Sequence, residues 1–263
     1  MNMLTIMEGD GIRSLHFGSS AVQGAMYVAR PFDIALEYVR QMMMWLLFRE
    51  EAEHIVQLGL GAAALTKYCH RHLSPARITA VELDPGVIDI CRRHFSLPPD
   101  DDRLEVLNMD ALDYVSDFSR RRSIDILQVD LYDAQADGPV LSSEAFYAAC
   151  ANCLSFRGMM TVNLYCQNAD HIRHIQAIEA SFEAVVWLPE VHDGNIVALA
   201  FKRAPSVDFE DLRRRARDIH GRTGLPAHTW VEGLEAWMRG ELDMPAQGPE
   251  LQIKHQALAL HRT

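Results

Sequence analysis

The stretch His54 to Gly61, HIVQLGLG, is an apolar run that closes on two glycines one residue apart and passes into Ala62, Ala63 and Ala64. A short apolar run stopped by glycine reads as a buried strand entering a tight turn. Residues Ala64 to His72 then carry helical spacing. The same unit recurs downstream: ITAVEL (78–83) before a helix from Asp84 to His94, LEVLNMD (104–110) before a short helix near Leu112 to Phe118, and SIDILQVD (123–130). A helix from Ser142 to Leu154, the strand GMMTVNLY (158–165) and a helix from Asp170 to Ser181 continue the series. Strands and helices in alternation predict a mainly parallel, Rossmann-like α/β sheet covered on both faces. AVVWLPEV (184–191) and NIVALAFKR (195–203), separated only by His192, Asp193 and Gly194, predict an antiparallel hairpin at the sheet edge.

Outside this block the patterns differ. LTIM, RSLHF and AMYV, broken by Gly9-Asp10-Gly11 and Gly18-Ser19-Ser20, predict a small β region. Pro31 and Asp33 open a pattern that predicts a linking helix through Phe48. The expected organisation is a small β region with its linking helix over 1–50, an α/β domain over 51–204 and a helical extension over 205–263.

Composition bounds the function. A chain of 263 residues, 49% hydrophobic and 23% charged, suits one substantial α/β core. MMMWLLF (42–48) is too short to cross a bilayer and MNMLTIMEGD lacks the character of a signal peptide, so a cytoplasmic location and no membrane partner are expected. Five cysteines, an odd number, fit free thiols. Cys150 and Cys153 form a C-x-x-C inside a predicted helix, where buried thiols are expected rather than a metal site. A formal charge of −11 argues against a nucleic-acid partner and is compatible with a cationic ligand.

Ligands of open α/β sheets bind at the carboxyl ends of the strands, which turns scattered residues into a set. Gly59 and Gly61 follow the first strand, and the small residues Ala62 to Ala64 are expected to let the backbone approach a ligand. Glu82 ends the second strand, where a carboxylate can accept from ribose hydroxyls. Asp84, before Pro85, reads as a helix cap. Asp110 ends the third strand and can accept from an adenine amine or cap the helix that follows; both readings stay open. Asp130 ends the fourth and begins the acidic stretch VDLYDAQADGP (129–139), for which a solvated turn at Asp137 is the competing reading.

The succession LGLG, VELDP, NMDA, VDLYD, SEAFY and GNIVALAF, from about Arg13 to Lys202, resembles the polyamine aminopropyltransferase (spermidine synthase) family, in particular its shorter bacterial members. The resemblance implies a class I methyltransferase-like sheet preceded by a small β region, a homodimer, and decarboxylated S-adenosylmethionine as co-substrate with a small amine as acceptor. His70, His72 and His94 fall on predicted helix ends and make no ligand triad, so no metal is expected. Gly59, Gly61, Glu82, Asp110 and Ala111 correspond to nucleoside-binding positions, Asp130 to the catalytic base, and Asp133, Tyr132, Gln23 and Tyr38 to substrate-binding positions. The match departs from the family's pattern at three places. GLGAAAL has no acid where the family carries one for the aminopropyl ammonium, Val39 replaces a polar residue, and Leu131-Tyr132 replaces two serines. Three readings therefore stand: aminopropyl transfer, methyl transfer from intact S-adenosylmethionine, and a catalytically silent nucleoside-binding or dimerisation module.

Overall fold

Three short antiparallel strands open the computed structural model, which describes residues 4–18, 21–132, 140–165, 171–188 and 195–240. β1 (Leu4–Gly9), β2 (Ile12–Phe17) and β3 (Gly24–Tyr27) pair in that order. Asp10 and Gly11, both at positive φ, make the first turn, so the small N-terminal β region is present as the glycine punctuation predicts.

The helix expected from Asp33 to Phe48 is not continuous. Ile34 instead bridges Met26 of β3, α1 spans only Glu37–Gln41, and Met44–Leu47 make a 3-10 turn. Residues Met42 to Leu47 are each at most 3% exposed. A segment buried on every side has no solvent face to sustain amphipathic periodicity, and it serves as a plug against the large sheet, to which Gln128 ties it through the Met42 carbonyl.

The main sheet contains β4 (His54–Leu58), β5 (Arg77–Glu82), β6 (Leu104–Asn108), β7 (Ile124–Val129), β8 (Leu154–Tyr165), β9 (Ala184–Leu188) and β10 (Asn195–Phe201). Their order is β6-β5-β4-β7-β8-β10-β9. The first five are parallel, and β10 runs antiparallel to both β8 and β9, which gives the predicted antiparallel edge. The turn at 192–194 lies outside the described residues. Helices α2 (Ala64–His72), α3 (Pro85–His94), α4 (Ala111–Ser116), α5 (Glu144–Cys153) and α6 (His171–Glu179) alternate with the strands. β8 begins directly after α5, ahead of the predicted start at Gly158, because Leu154 already pairs with Ile124 before a bulge.

The direction in which strands are added to the sheet reverses between β4 and β7. From β4 the chain winds outward through β5 to β6, then returns to lay β7 on the other side of β4, so a crevice opens at this switch point. Gln57, the polar residue inside HIVQLGLG, belongs to a buried chain across the switch. Thr66 Oγ1 donates to Gln57 Oε1 at 2.6 Å, Gln57 Nε2 to Gln128 Oε1 at 3.0 Å, and Gln128 Nε2 to the Met42 carbonyl at 3.0 Å. These bonds tie α2, β4, β7 and the plug together without leaving the glutamines unmatched.

At the far end of the chain, α7 (Phe209–Thr223) and α8 (Ala227–Met238) join the same apolar core through Leu212, Ile219, Trp230 and Leu234. Trp237 meets Trp187 of β9 edge to face, with ring centroids 5.1 Å apart. Among the described residues no helix is long and apolar enough to cross a membrane.

Candidate active site

A cavity of about 640 Å³ opens where β6, β5, β4 and β7 end, with Phe17 contributed by the end of β2 and Ala21, Val22 and Gln23 by the link between β2 and β3. The four residues singled out at the strand ends, Gly59, Glu82, Asp110 and Asp130, all line it, as do Gly61, Ala111, Tyr38, Tyr132 and Gln23. Sheet order explains the convergence: residues far apart in sequence end on adjacent strands. A second groove, about 460 Å³, runs along α7 and contains none of these residues. Asp133 and Asp137 lie outside the described residues.

The loop after β4 departs from its expected role. Gly59 has φ +91°, and a Cβ there would stand 2.1 Å from the Asp130 carbonyl oxygen. Gly61, at φ +50°, has the Gln23 carbonyl 2.9 Å from its would-be Cβ. Ala62 and Ala63 are 2% and 0% exposed, and a Cβ on Gly24 of β3 would meet Ala62 N at 2.5 Å. The small run therefore seats the N-terminal sheet rather than opening the backbone to a ligand, and only Gly59, Leu60 and Gly61 of this loop reach the cavity. An acid at Ala62 or Ala63 has no room. Val39 is likewise core, 4% exposed, while its neighbour Tyr38 turns to the cavity.

Glu82 has two tasks. Its Oε2 accepts from Leu60 N at 3.0 Å and its Oε1 from Asp84 N at 2.9 Å, which fixes the loop after β4 to the tip of β5. Each oxygen retains a lone pair for a ligand hydroxyl. Burial pushes the carboxyl above the usual range, and the backbone N–H groups of Asp84 and Leu60 partly offset that. Asp84 caps α3 through Gly86 N, as predicted. Asp110 caps α4, its Oδ1 accepting from Leu112 N at 2.7 Å, and it also lines the cavity; the two readings of this residue are compatible. Asn108 Nδ2 donates to the carbonyls of Glu82 and Leu83 at 3.0 and 2.8 Å, locking the tips of β5 and β6.

Asp130 stands at the switch point, half-buried. Its backbone N–H donates to the Leu58 carbonyl at 2.9 Å. Asn163 Nδ2 donates to its Oδ1 at 2.8 Å and the Tyr38 hydroxyl to its Oδ2 at 3.4 Å. Burial raises the carboxyl above its ordinary value, and the bonds from Asn163 and Tyr38 counter part of that rise. A carboxylate so placed is a stronger base than one in water. Tyr132 lies beside it, with its hydroxyl donating to the Asn163 carbonyl at 3.1 Å.

Asn163 is the residue that sequence reading missed. Its only local signal is a lone amide in the apolar strand GMMTVNLY, and its significance comes from β8 lying next to β7 in the sheet. Leu83 and Met109, also unremarked in the sequence, join Leu131 in giving the cavity apolar walls. Among the described residues its charged lining is Glu82, Asp110 and Asp130, all acidic. Among the described residues no group of three or more His, Cys, Asp or Glu side chains is arranged to hold a metal, and Cys69, Cys91, Cys150 and Cys153 are buried free thiols.

The spermine/spermidine synthase domain matches residues 37–211. The chain belongs to this family. The polyamine aminopropyltransferase of Chromobacterium violaceum is 35% identical over 237 residues, covering 89% of this chain and 90% of that protein. A probable spermidine synthase from Corynebacterium glutamicum superposes with a TM-score of 0.69 at 17% identity, over 88% of this chain and 91% of its own. Human methyltransferase-like protein 13 in complex with SAH superposes with a TM-score of 0.60 at 18% identity, over 85% of this chain and 100% of its own. Those two structures share the fold. Membership of the spermine/spermidine synthase family extends across the switch-point strands to the start of α7, so the whole cavity wall made by β4 to β7 falls within it.

Proposed function

We propose that the protein transfers an aminopropyl group from decarboxylated S-adenosylmethionine to a small cationic amine. The observation that carries this reading is the cavity's charge: among the described residues its charged lining is three carboxylates, and one of them, Asp130, is half-buried at the switch point with a raised pKa. An amine acceptor is an ammonium at neutral pH and needs a base before it can attack, whereas the departing thioether is neutral and needs no acid. Asp130 supplies the base. Glu82 is suited to the ribose hydroxyls, Asp110 and Ala111 to the nucleobase edge, and Tyr38 holds Asp130 on the side away from Asn163. A co-substrate without a carboxylate suits a lining whose described charges are all acidic. We further propose a cytoplasmic homodimer.

Methyl transfer is the second reading, favoured by one feature: the loop GLGAAAL carries no acid to repel the carboxylate of intact S-adenosylmethionine. Incubation with decarboxylated or intact S-adenosylmethionine and a panel of diamines, read by mass spectrometry, separates the two. Aminopropylated products with the decarboxylated compound are expected. Methylated products with the intact compound alone overturn the proposal.

A further inference from the structure

We propose that Asn163 grips the acceptor amine: its side-chain carbonyl oxygen takes a hydrogen bond from the attacking nitrogen while its amide N–H holds Asp130 beside that nitrogen. The inference rests on the aminopropyl-transfer reading and adds to it a residue that binds the amine and positions the base.

The geometry fixes the amide. β8 runs parallel to β7 with Val162 opposite Val129, so Asn163 and Asp130 are neighbours at the strand ends. Asn163 is 3% exposed, lines the cavity, and donates from Nδ2 to Asp130 Oδ1 at 2.8 Å. An ionised carboxylate only accepts, so Nδ2 must face it and Oδ1 must face elsewhere. That Oδ1 is buried and has no hydrogen-bond partner among the described residues. A buried carbonyl oxygen without a donor costs free energy that a ligand N–H would recover. Tyr132 meanwhile occupies the backbone carbonyl of Asn163, leaving the side-chain oxygen as the acceptor this residue offers the cavity.

An arriving ammonium carries three N–H bonds. Asp130 takes one proton, which leaves the nitrogen its lone pair. Asn163 Oδ1 holds a second N–H, stopping rotation about the C–N bond and aiming the lone pair. The nitrogen then bonds to the carbon attached to the sulfonium, the C–S bond breaks, and its electron pair stays on sulfur as a neutral thioether. Orientation of this kind contributes strongly to a displacement.

Two substitutions separate the two sides of the amide. Asn163→Asp keeps an acceptor but loses the donor to Asp130; Asn163→Leu loses both. Steady-state kinetics with decarboxylated S-adenosylmethionine and a diamine, across neutral and alkaline pH, are the readout. Removing a donor from an ionised carboxylate raises its pKa, so both variants should move the acid limb of kcat/KM upward by about one pH unit. Only Asn163→Leu should raise the diamine KM, by about tenfold. Should Asn163→Leu not fold by circular dichroism, Asn163→Ser, too short to reach Asp130 or the amine, takes its place with the same expectation. An active wild type whose Leu or Ser variant keeps both the diamine KM and the acid limb overturns this inference alone. A wild type that transfers nothing to any diamine overturns the underlying reading and this inference with it.

Discussion

A Cβ on Gly59 would lie 2.1 Å from the carbonyl oxygen of Asp130, so the ends of β4 and β7 meet backbone to backbone at the switch point. The glycine is required twice, by that contact and by its φ of +91°, which costs an L-residue about 1–2 kcal/mol even in open space. Gly59→Ala should therefore lower the melting temperature by at least about 4 °C and displace Asp130, losing turnover with stability. Gly61→Ala should be milder, because its φ of +50° resembles the +57° that Ala63 already adopts. Calorimetry on the two variants checks this; equal melting temperatures would show that the Gly59 contact yields.

Glu82 joins ligand recognition to loop anchoring, so its substitutions should show both effects. Glu82→Ala removes the acceptors of Leu60 N and Asp84 N and the contact available to two ribose hydroxyls. Binding of a thioadenosine product should fall by roughly 1.5–3 kcal/mol for each charged hydrogen bond lost. The melting temperature should fall as well, since two backbone donors lose their partner. Isothermal titration with an unchanged dissociation constant would take Glu82 out of the site.

The strand ends were legible because they depend on local pattern. Apolar runs of strand length, each stopped by Gly59, Glu82, Asp110 or Asp130, point to a parallel sheet, and the rule for open sheets places a ligand at those stops. What the pattern could not carry was contact between distant segments. Ala62 and Ala63 look like ligand clearance until Gly24 is found against them. The apolar residues from Met42 to Leu47 fit a helix equally well until their burial on all sides is seen. Asn163 is one polar residue in a buried strand, and only the adjacency of β7 and β8 gives it Asp130 as a partner. Glu82's hold on Leu60 N is the same kind of fact, a tertiary bond to a residue whose sequence neighbours give no hint of it.

Lys67 makes stability depend on alkaline pH. It is 1% exposed, with Nζ donating to the Phe95 carbonyl at 2.7 Å, and burial lowers its pKa from 10.5 to about 8. Between those values the unfolded chain keeps a proton that the folded one has released, so this group's contribution to stability rises as pH rises. The stability of the wild type relative to Lys67→Met should accordingly increase from pH 8 toward 10.5. Urea unfolding of both proteins at several pH values measures that difference, in which the cysteine and tyrosine contributions common to both largely cancel. A difference independent of pH would mean that Lys67 stays charged in the fold.

Asp130→Asn should exchange activity for stability. The Asp130 carboxyl is raised by burial, so the folded protein binds that proton more tightly than the unfolded chain does. Its contribution is complete below the unfolded value, near 3.9, and is lost as pH rises through the folded one. A neutral amide in its place escapes the penalty: it can accept from Tyr38 and exchange an amide hydrogen bond with Asn163, whose Oδ1 has no partner among the described residues. The variant should match the wild type near pH 4 and exceed it in melting temperature at pH 8, while turnover falls at least about a hundredfold for want of a base. Nucleoside affinity should hardly change, because Glu82 and Asp110 are untouched. Tyr38→Phe tests the same carboxyl from its other oxygen. Loss of the hydroxyl bond at 3.4 Å should move the acid limb of kcat/KM upward, and by less than the loss of the 2.8 Å bond from Asn163 does, since the longer bond stabilises the ionised form less. An Asp130→Asn protein with wild-type turnover would require the proton to leave by another group.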